Sequence, residues 1–165
     1  MGIRKFLADW MKYGARASLP VAISPSGQPI ESRNGMTGTY YTVLLDPENA
    51  WASAEADANH FWEFSNGALA VRVRKLETNG ALFWGVDTDT TPATAATNIK
   101  AEIDGLQADI AAPPGTTARG CHYLAAADTG WSEWIIFGTA AIAAIGLETD
   151  NVTNDMVLVQ WLEAP

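Results

Sequence analysis

Cysteine occurs once in this chain, at Cys121, and histidine twice, at His60 and His122. A single thiol excludes an internal disulfide framework and a cysteine-based zinc site. The two histidines lie far apart in sequence, and neither belongs to a helical metal motif. Basic residues are scarce as well: 10 Lys and Arg stand against 19 Asp and Glu, a net charge of −9. An acidic body repels phosphate backbones, which argues against nucleic acid as a partner. Long apolar runs are missing. The longest, Ile135 to Leu147, is 13 residues and contains two glycines, too short to span a bilayer. Arg4 and Lys5 resemble the start of a secretory signal, but Asp9 and Lys12 interrupt the apolar part, so none is expected. Met1-Gly2 is followed by Phe6 where myristoylation favours Ser or Thr.

What is present is a chain of 165 residues, 48% hydrophobic, with seven Trp, 14 Gly and 8 Pro. That is the size and composition of one ordinary folded domain. The charge is unevenly placed. Up to Arg33 there are five basic and two acidic residues, a net of +3; the remainder carries five basic and seventeen acidic, a net of −12. A basic head on an acidic body suits head-to-body pairing between copies, or an acidic partner.

Residues 3–16 have helical periodicity, with Ile3, Phe6, Leu7, Trp10 and Met11 on one side and Arg4, Lys5, Asp9 and Lys12 on the other. Such a helix can pack on its own domain, dock on a neighbouring subunit, or lie on a membrane surface. Residues 18–38 hold three Pro, three Gly and several Ser, the composition of a linker or extended arm. The expected organisation is therefore a helix and arm over 1–38, followed by a β domain over 39–165.

From Thr39 the pattern is one of short strands. TYYTVLL (39–45) ends at Asp46-Pro47, and HFWEF (60–64) ends at the turn signal Ser65-Asn66-Gly67. ALAVRVRKL (68–76) alternates, which predicts Leu69, Val71 and Val73 toward a core and Arg72 and Arg74 toward solvent or a partner. Asn79-Gly80 and ALFWGV (81–86) then predict a β-hairpin over Leu69–Val86. Residues 96–112 read as a short helix or two extended pieces, because Ile99, Ile103, Leu106 and Ile110 have helical spacing but Gly105 opposes it. CHYLAAA (121–127), SEWIIFGTA (132–140), AIAAIGLE (141–148) and DMVLVQWLEA (155–164) read as further strands. The expected fold is all-β: an antiparallel β-sandwich or small barrel with an N-terminal helix and arm.

Four constellations invite a chemical reading. Asp87-Thr88-Asp89 has alternate carboxylates, as calcium loops do, but lacks the glycine turn and distal Glu; it reads as the polar exit of the preceding strand. Glu55, Asp57 and His60 in AEADANH read as a solvated turn rather than a catalytic cluster. Cys121 and His122 are neighbours on a strand and point to opposite faces, so they form no dyad. Trp131 and Trp134 flank Ser132-Glu133, and an exposed pair of rings there suits stacking on a sugar. Neither a serine nucleophile elbow, a P-loop nor a dinucleotide fingerprint occurs, and no cofactor or metal is expected.

The segment TNGALFWGVDTDTTPATAATN, followed by PPG and a strand series, resembles small β-sandwich decoration (cement) or head-fibre proteins of tailed bacteriophage particles. The resemblance covers roughly residues 68–148 and carries no functional residue. It implies a non-enzymatic structural protein of the virion that binds copies of itself and neighbouring capsid, neck or tail subunits as a homo-oligomer. The expected contacts are Phe6, Leu7, Trp10 and Met11, rimmed by Arg4, Lys5 and Lys12. The alternative from the residues is a carbohydrate-binding module using Trp131 and Trp134.

Overall fold

The computed structural model describes residues 22–23, 29–30, 38–49, 51–53, 55, 57–113, 118–137, 140–151 and 155–164. The helix expected over 3–16, with its contact residues Arg4, Lys5, Phe6, Leu7, Trp10, Met11 and Lys12, lies outside them. The chain divides into two compact units, Met1–Tyr40 with Ala164–Pro165, and Tyr41–Glu163. In the first, β1 (Ala22–Ile23) pairs antiparallel with β2 (Pro29–Ile30).

Eight further strands form two antiparallel sheets. They are β3 (Thr39–Leu45), β4 (Phe61–Ala68), β5 (Ala70–Lys75), β6 (Leu82–Asp87), β7 (Cys121–Leu124), β8 (Ile135–Ile136), β9 (Ile142–Thr149) and β10 (Val157–Glu163). The first sheet has the order β3-β10-β5-β8 and the second β4-β9-β6-β7. The chain is mostly β, as expected, and the two sheets share a core in the manner of a β-sandwich. Val71, Val73, Val157, Val159 and Trp161 come from the first sheet; Leu82, Trp84, Ile142, Ile145 and Leu147 come from the second.

A third layer was not expected at this size. Helix α1 (Pro92–Ala111) runs 20 residues, and Gly105 does not interrupt it. Its buried Ala95, Ala96, Ile99 and Ile103 pack on Phe83, Ala144, Trp51 and Phe61 behind the second sheet. This explains why β9 is buried almost throughout. Ile145 and Leu147 face the first sheet, while Ala144 and Gly146 face the helix side. A strand covered on both faces reads as a continuous apolar run. At Gly146 the approach is closest: a Cβ there would meet Trp51 at 2.5 Å and Ile99 at 2.8 Å.

Three expectations are corrected. Strands β5 and β6 do not form a hairpin. β5 pairs with β10 and β8, and β6 pairs with β9 and β7, so the connection through Asn79-Gly80 crosses from one sheet to the other. A turn signal says that the chain reverses; it does not say whether it reverses within a sheet or across the core. Ser65-Asn66-Gly67 ends no strand but lies inside β4, where the register with β9 shifts between Glu63 and Ala68. Gly67 adopts φ 72°, the left-handed conformation that suits glycine in a bulge. Leu69 sits between β4 and β5, half-buried, with its N–H donating to Leu162 C=O at 2.7 Å.

Candidate interaction surface

Along β5, Val71 and Val73 point into the core, so Arg72 and Arg74 project from the outer face of the first sheet. Arg74 is exposed, but Arg72 is half-buried. Directly across on β10 is Gln160, whose Oε1 accepts from Arg72 Nε at 2.8 Å and Nη2 at 2.6 Å. The Arg72 guanidinium carbon lies 4.4 Å from the ring centre of Trp131 and 4.5 Å from that of Trp134. Both are within cation–π range.

The backbone fixes those two rings. Trp131 forms an antiparallel bridge with Arg74. Ser132 N–H donates to Val73 C=O at 2.8 Å, and Val73 N–H donates to Ser132 Oγ at 3.0 Å. Arg74 Nε donates to Thr129 C=O at 3.0 Å. Segment 129–134 is thus laced along β5. Trp131 and Trp134, the residues expected to suit a sugar, each spend a ring face on Arg72.

At the other side of this sheet lies β3. Tyr41, Val43 and Leu45 turn inward: Tyr41 stacks on Trp161 with centroids 5.5 Å apart, and Val43 and Leu45 join the core. Leu44 turns outward and is 50% exposed; Tyr41, at the rim, is 43% exposed. The outer face of the first sheet thus carries exposed Leu44 on its edge strand β3 and the Trp131–Arg72–Trp134 group along β5, residue types found at interfaces.

The other candidate residues resolve differently. Asp87 is the last residue of β6. Its Oδ1 accepts from Asp89 N–H at 2.7 Å and its Oδ2 from Asn98 Nδ2 at 3.0 Å, while Asp89 Oδ1 accepts from Thr91 N–H at 2.8 Å. The two carboxylates form successive turns that carry the strand into α1, with Thr91 as N-cap and Pro92 at the first helical position. Asp57 and His60 do come together, Oδ2 to Nδ1 at 2.8 Å, beyond what their spacing in a turn implied. His60 Nε2 is occupied by the Glu48 backbone, 3.0 Å from its N–H and 2.9 Å from its C=O, and Trp51 stacks on the ring. The imidazole therefore pins the 48–60 loop. Cys121 and His122 point to opposite faces: Cys121 packs against the helix-side cluster, and His122 lies 4.7 Å from the Trp84 ring centre. Burial pushes the Cys121 thiol up to about 11, with Glu102 adding to it, and lowers the His122 imidazole below its usual range.

Sequence reasoning missed Lys75. It has the same parity as Val71 and Val73, and it is fully buried between the sheets. Its Nζ donates to the carbonyls of Gly80, Ala126 at 3.0 Å and Ala125 at 3.4 Å. Burial lowers its pKa, against the opposing pull of Asp155, Asp150 and Asp128. The parity was legible; that a cation would end an apolar stripe was not. Among the described residues, no group of three or more His, Cys, Asp or Glu is placed to hold a metal ion.

Comparison with protein-family models, curated proteins and solved structures gives no match. The surface is therefore interpreted from its own chemistry.

Proposed function

We propose that this chain is a non-enzymatic structural protein that binds neighbouring subunits in a symmetric assembly, with a bacteriophage particle as the setting. The observation that carries the binding role is the Trp131–Arg72–Trp134 stack on the outer face of the first sheet. Trp, Arg and Tyr are the residue types that concentrate binding energy at protein interfaces, chiefly when their side chains are already held rigid. Here the rings and the guanidinium are already in contact with one another, and Gln160 and Ser132 tie them to the sheet. The phage setting rests on the resemblance of residues 68–148 alone. The N-terminal residues Phe6, Leu7, Trp10 and Met11, with Arg4, Lys5 and Lys12, are the second contact in this reading, since they sit in a +3 segment of a chain whose remainder carries −12.

Light scattering of the full chain over a range of concentrations tests the role. An oligomer, or retention of other virion proteins, is expected, and Trp134→Ala should weaken it. A glycan array run on the same protein addresses the alternative. Saturable sugar binding that disappears in Trp131→Ala and Trp134→Ala, from a monomeric protein, replaces assembly with carbohydrate recognition.

A further inference from the structure

Four strands form the sheet edges among the described residues: β3 and β8 in the first sheet, β4 and β7 in the second. An exposed edge offers unpaired backbone groups to any other strand, and proteins usually blunt it by shortness, charge, proline or a bulge. β8 has two residues and β7 four. β4 carries a bulge and the exposed charge of Glu63. β3 is different. It runs seven residues, TYYTVLL, with no charged residue and no proline, and Tyr41 and Leu44 are exposed along it.

We propose that β3 pairs antiparallel with β3 of a second copy, joining two first sheets into one continuous eight-stranded sheet; the proposal rests on reading the chain as an assembly protein and names one of its contacts. Charge selects the occupant. The chain carries −9, so a two-fold contact through most of its surface sets carboxylates against their own copies. A strand without charge is where two such bodies meet with no like-charge pair across the ladder. A basic partner, by contrast, calls for acidic residues on the edge, and TYYTVLL has none. With the two-fold axis through Val43, Tyr41 lies opposite Leu45 on the inner face and Thr42 opposite Leu44 on the outer face. Each pair then keeps the face that its residues already occupy, and the Tyr41 ring is covered by the partner strand. Addition of a strand to an open edge is a general mode of recognition, with backbone hydrogen bonds supplying the affinity.

Sedimentation of the full chain from low to high micromolar concentration tests this, alongside Thr42→Lys, Leu44→Lys and, as an edge control, Glu63→Lys. A concentration-dependent dimer is expected in the wild type. Each β3 lysine should raise the dissociation constant by about tenfold, since it sets a hydrated charge on the pairing edge and lies diagonally, about 7–8 Å, from its own copy's charge across the two-fold, with circular dichroism unchanged. Glu63→Lys should leave the dimer alone. Backbone amide exchange in wild-type residues 41–45 should slow as the dimer fills, a readout that does not depend on any variant folding. An oligomer indifferent to both lysines, with no such slowing, overturns the β3 pairing and leaves the assembly role standing on other contacts. A monomer at every concentration overturns the pairing and removes self-association from the proposed function.

Discussion

Arg72 was expected to face outward, and it does, but it is not a freely solvated side chain. Replacing it by Ala removes two ring contacts and the bonds to Gln160. A cation–π contact at a half-exposed site is worth about 0.5–1 kcal/mol, so Arg72→Ala is expected to cost about 1–2 kcal/mol in urea unfolding. Arg72→Lys should recover little, because an ammonium cannot lie flat between two indoles. Val71→Ala, at a fully buried core position, should cost about 1–3 kcal/mol. Cys121 makes a second prediction. Its folded pKa is raised from 9.0 to about 11 by burial first and by Glu102 second. Folding therefore favours the neutral thiol. The stabilisation is complete below the unfolded value and is lost as pH rises through about 9 to 11. Native protein should react slowly with a disulfide reagent at pH 8, and the fall in stability between pH 9 and 11 should be shallower in Cys121→Ala.

The contact between α1 and the second sheet depends on a strand without a side chain at Gly146. Gly146→Ala forces a methyl group against the rings of Trp51 and the side chain of Ile99. Overpacking of this kind costs about 1–3 kcal/mol. The expected result is a lower melting midpoint with a changed Trp emission, because the Trp51 ring must move; an unchanged midpoint would mean that helix and sheet separate easily. Lys75→Ala tests the other end of the core. It leaves the Gly80, Ala125 and Ala126 carbonyls without their donor and removes the positive charge that Asp155, Asp150 and Asp128 attract. Leaving a buried acceptor unsatisfied costs about 1–3 kcal/mol each, so the loss should exceed that of Val71→Ala. The strands themselves were largely legible: TYYTVLL coincides with β3, and the strands read at 68–76, 81–86, 141–148 and 155–164 lie within two residues of β5, β6, β9 and β10. SEWIIFGTA was not, since β8 holds only Ile135–Ile136 and the part before it serves Arg72 and Val73 through Trp131, Ser132 and Trp134. α1 was half legible. Its Ile99 and Ile103 gave the period, but its first turns are Ala and Thr, whose burial depends on Phe83 and Ala144 beneath them.

Charge divides the molecule as a whole, with +3 before Asn34 and −12 after it. The unit Tyr41–Glu163 contains the helix and both sheets apart from the first two residues of β3. Deleting residues 1–38 is therefore expected to leave a folded β body with nearly the same melting curve and less self-association. Unfolding of the deletion variant would show that the head belongs to the core. Salt supplies an independent check. Screening shortens from about 10 Å at 0.1 M to about 3 Å at 1 M, so head-to-body attraction should fade while apolar contacts persist.

Local alternation and turn chemistry determined that this chain forms short antiparallel strands, that Val71 and Val73 face inward with Arg72 outward, and that Asp87-Thr88-Asp89 closes a strand. These features depend on neighbours within a few residues, where side-chain direction follows from backbone period alone. The tertiary structure decided which strands share a sheet, that β5 and β6 belong to different ones, and that a helix covers the second sheet. It also placed Trp131 and Trp134 on Arg72 across nearly sixty residues of sequence. Those outcomes come from competition among distant apolar surfaces for one another, and an apolar residue in a sequence announces that it will be buried without saying against what.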